Sequence, residues 1–545
     1  MKSPLETLYK WEKEQPNKLF LHQPIDGKSI SWTYKEAADE ARRMAAALKA
    51  KKLPAESKIG LVSKNCAYWV MCDLAIMMAG HISVPVYPNV KDMNLNYVLQ
   101  HSEASLLFVG KLDNWDGMKD GVPEHVECIS FPNYGPKGFT QWSDLIKEHE
   151  PIAGEPDVDQ SKVMTIIYTS GTTGRPKGVV HDFESLIFAV TNALTQLDLG
   201  GTNARMFSYL PMSHIAERML TEMGTLYNGG TIYFAESLDT FVKNLSAAQP
   251  TVFFGVPRIW TKFQMAILQK MPQKKLNTLL KIPILSGIIK KKIKTGLGLQ
   301  KAHAFLTGAA PTPPALLDWW GKLDVSLQEV YGMTENCAYS HYTVKGTARK
   351  GSQGQPFPGV DVKIEPDGEI LVKSKATMKG YFKEPELTKA AFRDGYLCTG
   401  DAGHVDKDKF LYITGRVKAL FKTAKGKYIA PEPIEAKISI NTHIEQVCVT
   451  GSNLHQPIAL VVLSEAARAL DQAEVTQSIN ETLKEVNNTC EKHEKICKCV
   501  ILKEVWDVEN EMLTPTMKVK RRSIDKKFQE LYGKWAESGD LVVAE

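Results

Sequence analysis

No run of 18 uninterrupted apolar residues occurs among these 545 residues, so no bilayer-spanning helix is expected. Charge of one sign is also lacking. The 67 Lys and Arg stand against 62 Asp and Glu, a formal net charge of +5. A nucleic-acid binder concentrates a basic excess on one face, so no nucleic-acid partner is expected. Cysteine is sparse and odd in number: nine residues, scattered from Cys66 to Cys499. Cys497-Lys498-Cys499, with Cys490 nearby, lacks zinc-ligand spacing. Reduced, unpaired thiols and a reducing compartment are the expectation. The start, Met1-Lys2-Ser3-Pro4-Leu5-Glu6, carries charge and no apolar stretch of signal-peptide length, which points to the cytoplasm. There is no internal repeat and no recognisable Ser-His or Cys-His arrangement for a protein nucleophile.

What is present is globular. Hydrophobic residues are 43% and charged residues 24%, which excludes wholesale disorder, collagen and coiled coil. The length corresponds to roughly three to four domain-sized units. Residues 33–50 place Ala and Leu at helical spacing. Strand-sized apolar runs follow at 59–62, 82–86, 106–109, 165–168, 231–234 and 251–254, with helical patterns between them. Such alternation predicts parallel sheets between helix layers, an α/β class. After about residue 350, Gly, Pro and Asp punctuate short strands at 360–364 and 369–372, a β-rich unit. Beyond Arg416, runs at 447–449 and 460–463 and a helical stretch from 465 to 495 predict a compact α+β domain of about 130 residues. One basic, apolar segment, Ile288-Ile289-Lys290-Lys291-Lys292-Ile293-Lys294, has two readings: a solvated helix face, or a peripheral membrane contact.

The most informative stretch is Tyr168-Thr169-Ser170-Gly171-Thr172-Thr173-Gly174-Arg175-Pro176-Lys177-Gly178. Glycines admit close backbone approach, hydroxyls and N–H groups can converge on phosphate oxygens, and Lys177 adds a mobile cation. It is not the ordinary P-loop, because Pro176 immediately precedes the lysine. This loop resembles the signature of the adenylate-forming (AMP-binding) superfamily, of the long-chain fatty acyl-CoA synthetase type. Four further stretches match in the expected order. They are Tyr331-Gly332-Met333-Thr334-Glu335, Gly395 to Asp401, Gly415-Arg416-Val417-Lys418, and Leu513 to Arg522.

The resemblance implies the roles. Thr169, Ser170, Gly171, Thr172, Thr173, Gly174 and Lys177 hold the phosphates of ATP. The ring of Tyr331 lies against adenine, with Gly332, Gly308 and Ala309 as small neighbours. Thr334 contacts the α-phosphate, and Glu335, with Thr169, helps hold Mg2+. Asp401 takes the ribose hydroxyls, since a carboxylate can accept two hydrogen bonds from a vicinal diol. Arg416 contacts the nucleotide and Lys418 takes the hinge place; the acidic residue often found next is here Ala419. Lys518 matches the catalytic lysine, with Lys520 as the competing assignment. Lys422 lies in a hairpin, 422–429, that turns inward for thioester formation. Residues 1–415 would form the N-terminal body, with 350–415 its β-rich part, 416–418 the hinge and 419–545 a mobile lid.

The acid is implied less directly. Gly255 and Trp260, in Phe253-Phe254-Gly255-Val256-Pro257-Arg258-Ile259-Trp260, resemble the long-chain branch, where an aromatic gates a fatty-acid tunnel. A core tryptophan on a helix start is the alternative. His214 borders the substrate carboxylate or is a satisfied polar residue. The implied reaction is ATP-dependent activation of a medium- or long-chain fatty acid to acyl-AMP, then transfer to CoA. A fatty acyl-AMP ligase that loads an acyl carrier protein is the alternative. The stretch Pro356 to Val360 shows no insertion of the sort that marks such ligases, which favours CoA. A binding module that had lost catalysis would lack the Glu, Asp, Arg or Lys; Glu335, Asp401, Arg416 and Lys518 are all present.

Overall fold

The computed structural model describes residues 1–170, 175–514 and 517–545, and the backbone alone of Ser170. Gly171, Thr172, Thr173, Gly174 and the side chain of Ser170 therefore lie outside the described residues.

Two large sheets build the body. In one, the parallel strands Thr231–Phe234, Arg205–Ser208, Val252–Phe254, Ala304–Gly308 and Leu327–Tyr331 form the centre. In the other, Ile82–Val86, Lys58–Val62 and Ala104–Val109 run parallel, and Val163–Ser170 joins them. The latter strand then turns back antiparallel into Pro176–Asp182. The two described flanks of the phosphate-loop motif thus pair as antiparallel strands, with Thr169 directly opposite Lys177.

The helix Ala67–Ala79 packs against both sheets, touching Leu19–Ile25 and Ile82–Val86. It is apolar around its whole circumference, as a helix buried on every side must be. Its one charge, Asp73, is fully buried and needs a partner. Arg218 supplies it. Nη2 donates to both Asp73 oxygens at 2.6 Å, and Nη1 donates to Thr165 Oγ1 at 2.7 Å. A further bond reaches Ser83 Oγ at 3.0 Å. Arg218 opens a π-helical turn, Arg218–Met223, and so joins one buried helix to the two strands that lead toward the phosphate-loop motif.

Just before it, Glu217 is also buried. Its Oε1 accepts from Ser208 Oγ at 2.9 Å, Tyr209 N at 3.2 Å and Asn65 Nδ2 at 3.3 Å. Burial outweighs these bonds and pushes the carboxyl up to about 8 from its usual 4.5. Between those two values the unfolded chain releases a proton that the folded chain keeps. Stability therefore falls as pH rises through that window. Glu217→Gln is expected to remove one proton's share of the slope, about 1.4 kcal/mol per pH unit. Urea unfolding midpoints at about pH 5 and about pH 7 check this; an unchanged slope would contradict the assignment.

The β-rich unit pairs Asp361–Ile364, Glu369–Lys373, Tyr396–Val405 and Leu411–Arg416. The terminal unit carries Ile444–Thr450, Ile458–Leu463, Lys498–Leu502 and Val542–Ala544. Its strands alternate strictly. Ala459, Val461 and Leu463 face the helices Pro431–Ile438 and Gln472–Asn488, while Ile458, Leu460 and Val462 face Arg521–Phe528 and Tyr532–Ala536. Covering both faces of a sheet is why these runs read as continuously apolar. The expected helix over 465–495 is instead two, Glu465–Arg468 and Gln472–Asn488. Asp471 caps the second by accepting from Ala473 N and Glu474 N, which ends the first. The nine cysteines are all unpaired.

Candidate active site

Body, β-rich unit and terminal unit enclose a cleft of about 3100 Å³, several times an ordinary small-ligand pocket. Thr169, Lys177, His214, Gly308 and Ala309 line it from the body, with Tyr331, Gly332, Thr334 and Glu335 beside them. Asp401, Arg416 and Lys418 line it from the β-rich unit, and Lys518 from the terminal unit.

Local backbone explains several of these positions. Gly308 ends its strand where a Cβ would come within 2.5 Å of the Val330 carbonyl. At Gly332 a Cβ would lie 2.3 Å from the Ala338 backbone, so the Tyr331–Glu335 loop folds back only with glycine there. Ala309 holds φ of 65°, a left-handed conformation that strains a residue with a Cβ.

Asp401 is 6% exposed. Its Oδ2 accepts from the Tyr331 hydroxyl at 2.7 Å and its Oδ1 pairs with Arg416 Nε at 3.0 Å. Strand register sets this pairing, because Asp401 and Arg416 are direct neighbours across Tyr396–Val405 and Leu411–Arg416. The phenol and the carboxylate are 70 residues apart in sequence, yet one hydrogen bond fixes the ring at the cleft beside Asp401.

Tyr381 does the same beside Lys177 and Glu335. Its hydroxyl donates to Glu335 Oε1 at 2.9 Å, and Lys177 Nζ sits 5.0 Å from its ring centroid. A cation and a carboxylate are thereby held on one ring. Glu335 keeps a second oxygen, a hard ligand of the kind Mg2+ takes while retaining waters and phosphate oxygens. Among the described residues no group of three or more His, Cys, Asp and Glu could cage a metal. A single carboxylate fits Mg2+ held largely by its nucleotide.

His181 was not singled out by the sequence. Its Nε2 lies 2.6 Å from the Thr334 carbonyl, and the ring is wholly buried. Burial pushes its pKa down to about 4, so the neutral ring donates to that carbonyl and holds the turn that presents Thr334 and Glu335. No local pattern marks His181 or Tyr381; both act through strand pairing, since Gly380–Tyr381 adds to Pro176–Asp182.

His214 is a satisfied polar residue that also lines the cleft. Nδ1 accepts from Ala216 N at 3.2 Å, capping a helical turn, while the ring lines the cleft. Burial and the nearby Lys518 ammonium push its pKa down to about 4. Lys518 is open to the cleft but surrounded by protein, and this enclosure is the main cause of its lowered pKa. Arg416 lowers it further, while Asp401 and Glu335 act the other way. Its backbone is pinned on both sides to Thr514, with Thr514 N on Lys518 O at 2.8 Å and Lys518 N on Thr514 Oγ1 at 3.1 Å. Lys520 donates its N–H to Met512 O and leads into the helix Arg521–Phe528.

Three residues named from sequence stand elsewhere. Lys422 is exposed, with Nζ 4.9 Å from the Tyr428 ring centroid, and is not part of the cleft wall among the described residues. It does not share the cleft with Lys177 and Lys518 in this arrangement. Trp260 is fully buried among Phe253, Phe263, Phe305 and Trp320, its indole N–H donating to Leu306 O at 3.2 Å. A Cβ on Gly255 would meet that indole at 2.9 Å. Both lie behind the wall, and the core-tryptophan alternative describes their position here. Arg258, on the same helix, ion-pairs with Glu445 of the terminal unit.

The α/β body and its terminal unit thus bring a carboxylate, an aromatic ring, cations and hydroxyls together in one cleft. The AMP-binding enzyme model matches residues 8–382, and that of the AMP-binding enzyme C-terminal domain matches residues 419–533. The chain belongs to the AMP-binding enzyme family. It is 28% identical to long chain acyl-CoA synthetase 2 of Arabidopsis thaliana, over 95% of this chain and 90% of that one. It is 27% identical to long-chain-fatty-acid--CoA ligase FadD15 of Mycobacterium bovis, over 96% and 95%. The anthranilate CoA ligase AuaEII, solved with anthranoyl-AMP, shares the fold with a TM-score of 0.80 at 19% identity, covering 98% of each chain.

Proposed function

We propose that this enzyme is an acid–thiol ligase that activates a medium- or long-chain fatty acid with ATP and passes the acyl group to CoA. The observation that carries this is the meeting of Lys518, from the terminal unit, with Asp401, Arg416 and Glu335 in one cleft. The long-chain ligases among the relatives support the choice of acid and thiol.

The substrate carboxylate attacks the α-phosphorus and pyrophosphate leaves. Charge spreads over phosphate oxygens in the transition state, so the protein contributes position and electrostatics rather than a nucleophile. Lys177 and the Thr169–Gly174 loop hold the phosphates, Thr334 meets the α-phosphate, and Asp401 fixes the ribose. Lys518 donates to the developing negative charge. Glu335 and Thr169 would hold Mg2+, which would supply further neutralisation of the phosphates. In the second step a thiol attacks the acyl-adenylate and AMP leaves. Lys422, outside the cleft here, enters for that step as the terminal unit turns at Lys418 and Lys518 withdraws.

Purified protein incubated with ATP, Mg2+, CoA and a panel of fatty acids tests this. AMP release that depends on both acid and CoA, with an acyl-CoA identified by mass, is the expected result. Pyrophosphate release with no acyl-CoA, together with acylation of a carrier protein, would assign the chain to fatty acyl-AMP ligases instead.

A further inference from the structure

The helix Pro283–Gly296 has no buried residue, and its neighbour Gln273–Leu280 has one, Leu276. Together they form a hairpin held on the body by a narrow inner edge. Leu280, Ile289 and Ile293 pack against the aromatic cluster of Trp319 and Trp320. Trp319 Nε1 donates to Gln273 Oε1 at 2.8 Å, Lys290 Nζ to Asp324 Oδ1 at 2.9 Å, and Lys294 Nζ to Asp324 O at 3.2 Å. The hairpin is therefore a fixed element, and its outward face is built.

That face is unusual. Ile282, Ile284, Leu285 and Ile288 are all exposed, Ile284 by 79% and Ile288 by 56%. Ile284, Ile288 and Lys291–Lys292 fall on one side at helical spacing, an apolar end followed by a basic one. Between positions 270 and 296 there are eight lysines and no Asp or Glu. A protein partner or a second copy would require matching acidic groups and an apolar socket. A lipid surface supplies both features in one plane: acyl chains for the isoleucines and anionic headgroups for the lysines.

We infer that the helical hairpin Gln273–Gly296 docks this protein on an anionic lipid surface, inserting Ile284 and Ile288 and setting Lys291 and Lys292 among the headgroups. Placement adds a purpose. Met271 and Pro272 join the hairpin directly to the helix Pro257–Lys270, whose Arg258, Thr261, Lys262 and Met265 line the cleft. A membrane-dissolved acid would meet the cleft wall one helix away from the docking face. That last step rests on the fatty-acid reading above; the docking itself does not.

The full-length protein, without substrates, is cosedimented with vesicles of phosphatidylcholine alone and of phosphatidylcholine mixed with phosphatidylglycerol. Binding to the mixed vesicles at least about tenfold tighter is expected, weakening with salt. Ile284→Asp/Ile288→Asp and, separately, Lys291→Glu/Lys292→Glu should each lower it by at least about tenfold. Both pairs are exposed, and both variants should activate a short, water-soluble acid at the wild-type rate. No vesicle binding, equal binding to both vesicle types, or binding that neither variant pair weakens would overturn the docking, as would a wild-type dimer that Ile284→Asp/Ile288→Asp splits while vesicles stay unbound. Because no substrate is present, none of these outcomes touches the ligase reading.

Discussion

Lys518→Ala enzyme is expected to form acyl-adenylate about 10²–10³-fold more slowly, while converting supplied acyl-adenylate to acyl-CoA at close to the wild-type rate. The asymmetry follows from placement. Lys518 shares the cleft with Asp401, Arg416 and Glu335, whereas Lys422 lies outside it over the Tyr428 ring. On the proposed mechanism the first half-reaction passes through a transition state at the α-phosphorus with Lys518 in the cleft, whereas Lys518 has withdrawn before AMP leaves in the second, so only the first step loses its donor. Enclosure lowers the Lys518 pKa, so the wild-type adenylation rate should also fall at a lower pH than an ordinary lysine would allow. Pyrophosphate exchange reports the first step, and CoA-dependent consumption of synthetic acyl-adenylate reports the second. Equal losses in the two assays would remove Lys518 from the role given to it.

Arg218→Met should destabilise the fold by about 3–5 kcal/mol, the usual consequence of stranding one member of a buried ion pair. Asp73 would be left fully buried on its helix, and Thr165 and Ser83 would lose their donor. The strand carrying Thr165 continues to Thr169, so nucleotide affinity should fall along with stability. Arg218→Met/Asp73→Leu removes both charges and should recover most of the lost stability without restoring nucleotide affinity. Thermal and urea unfolding, with ATP titrations on each variant, separate the two effects. A double variant no more stable than the single one would mean that packing, not charge, is what Arg218 provides.

Neither Arg218 nor Asp73 stood out in the sequence, although the strands they join did. The apolar runs at 82–86 and 231–234 coincide with strands Ile82–Val86 and Thr231–Phe234, because a strand covered on both faces leaves a continuous apolar record. The motif stretches were legible because each is a short contiguous run of residues, two of them, Tyr331–Glu335 and Gly415–Lys418, starting at the ends of strands Leu327–Tyr331 and Leu411–Arg416. What holds those runs in place was not. Tyr381 reaches Glu335 across 46 residues and His181 reaches Thr334 across 153, and a lone tyrosine or histidine in a strand looks like any other. Trp260 shows the converse. Its neighbourhood in sequence suggests a gate, yet its surroundings in space are aromatic, and only the packing distinguishes a wall from what lies behind it.

The antiparallel pairing of Asp401 with Arg416 has a kinetic meaning. Val417 donates to Gly400 O, and the chain turns immediately afterwards at Lys418. On the proposed reading, a swing of the terminal unit at Lys418 would pivot two residues beyond Arg416, the strand partner of Asp401, and the ribose carboxylate would stay with the stationary side. The mixed anhydride made in the first half-reaction would then keep its seat while the wall around it is exchanged. Its escape or hydrolysis, measured with CoA withheld, would then count how often the door moves with nobody waiting behind it.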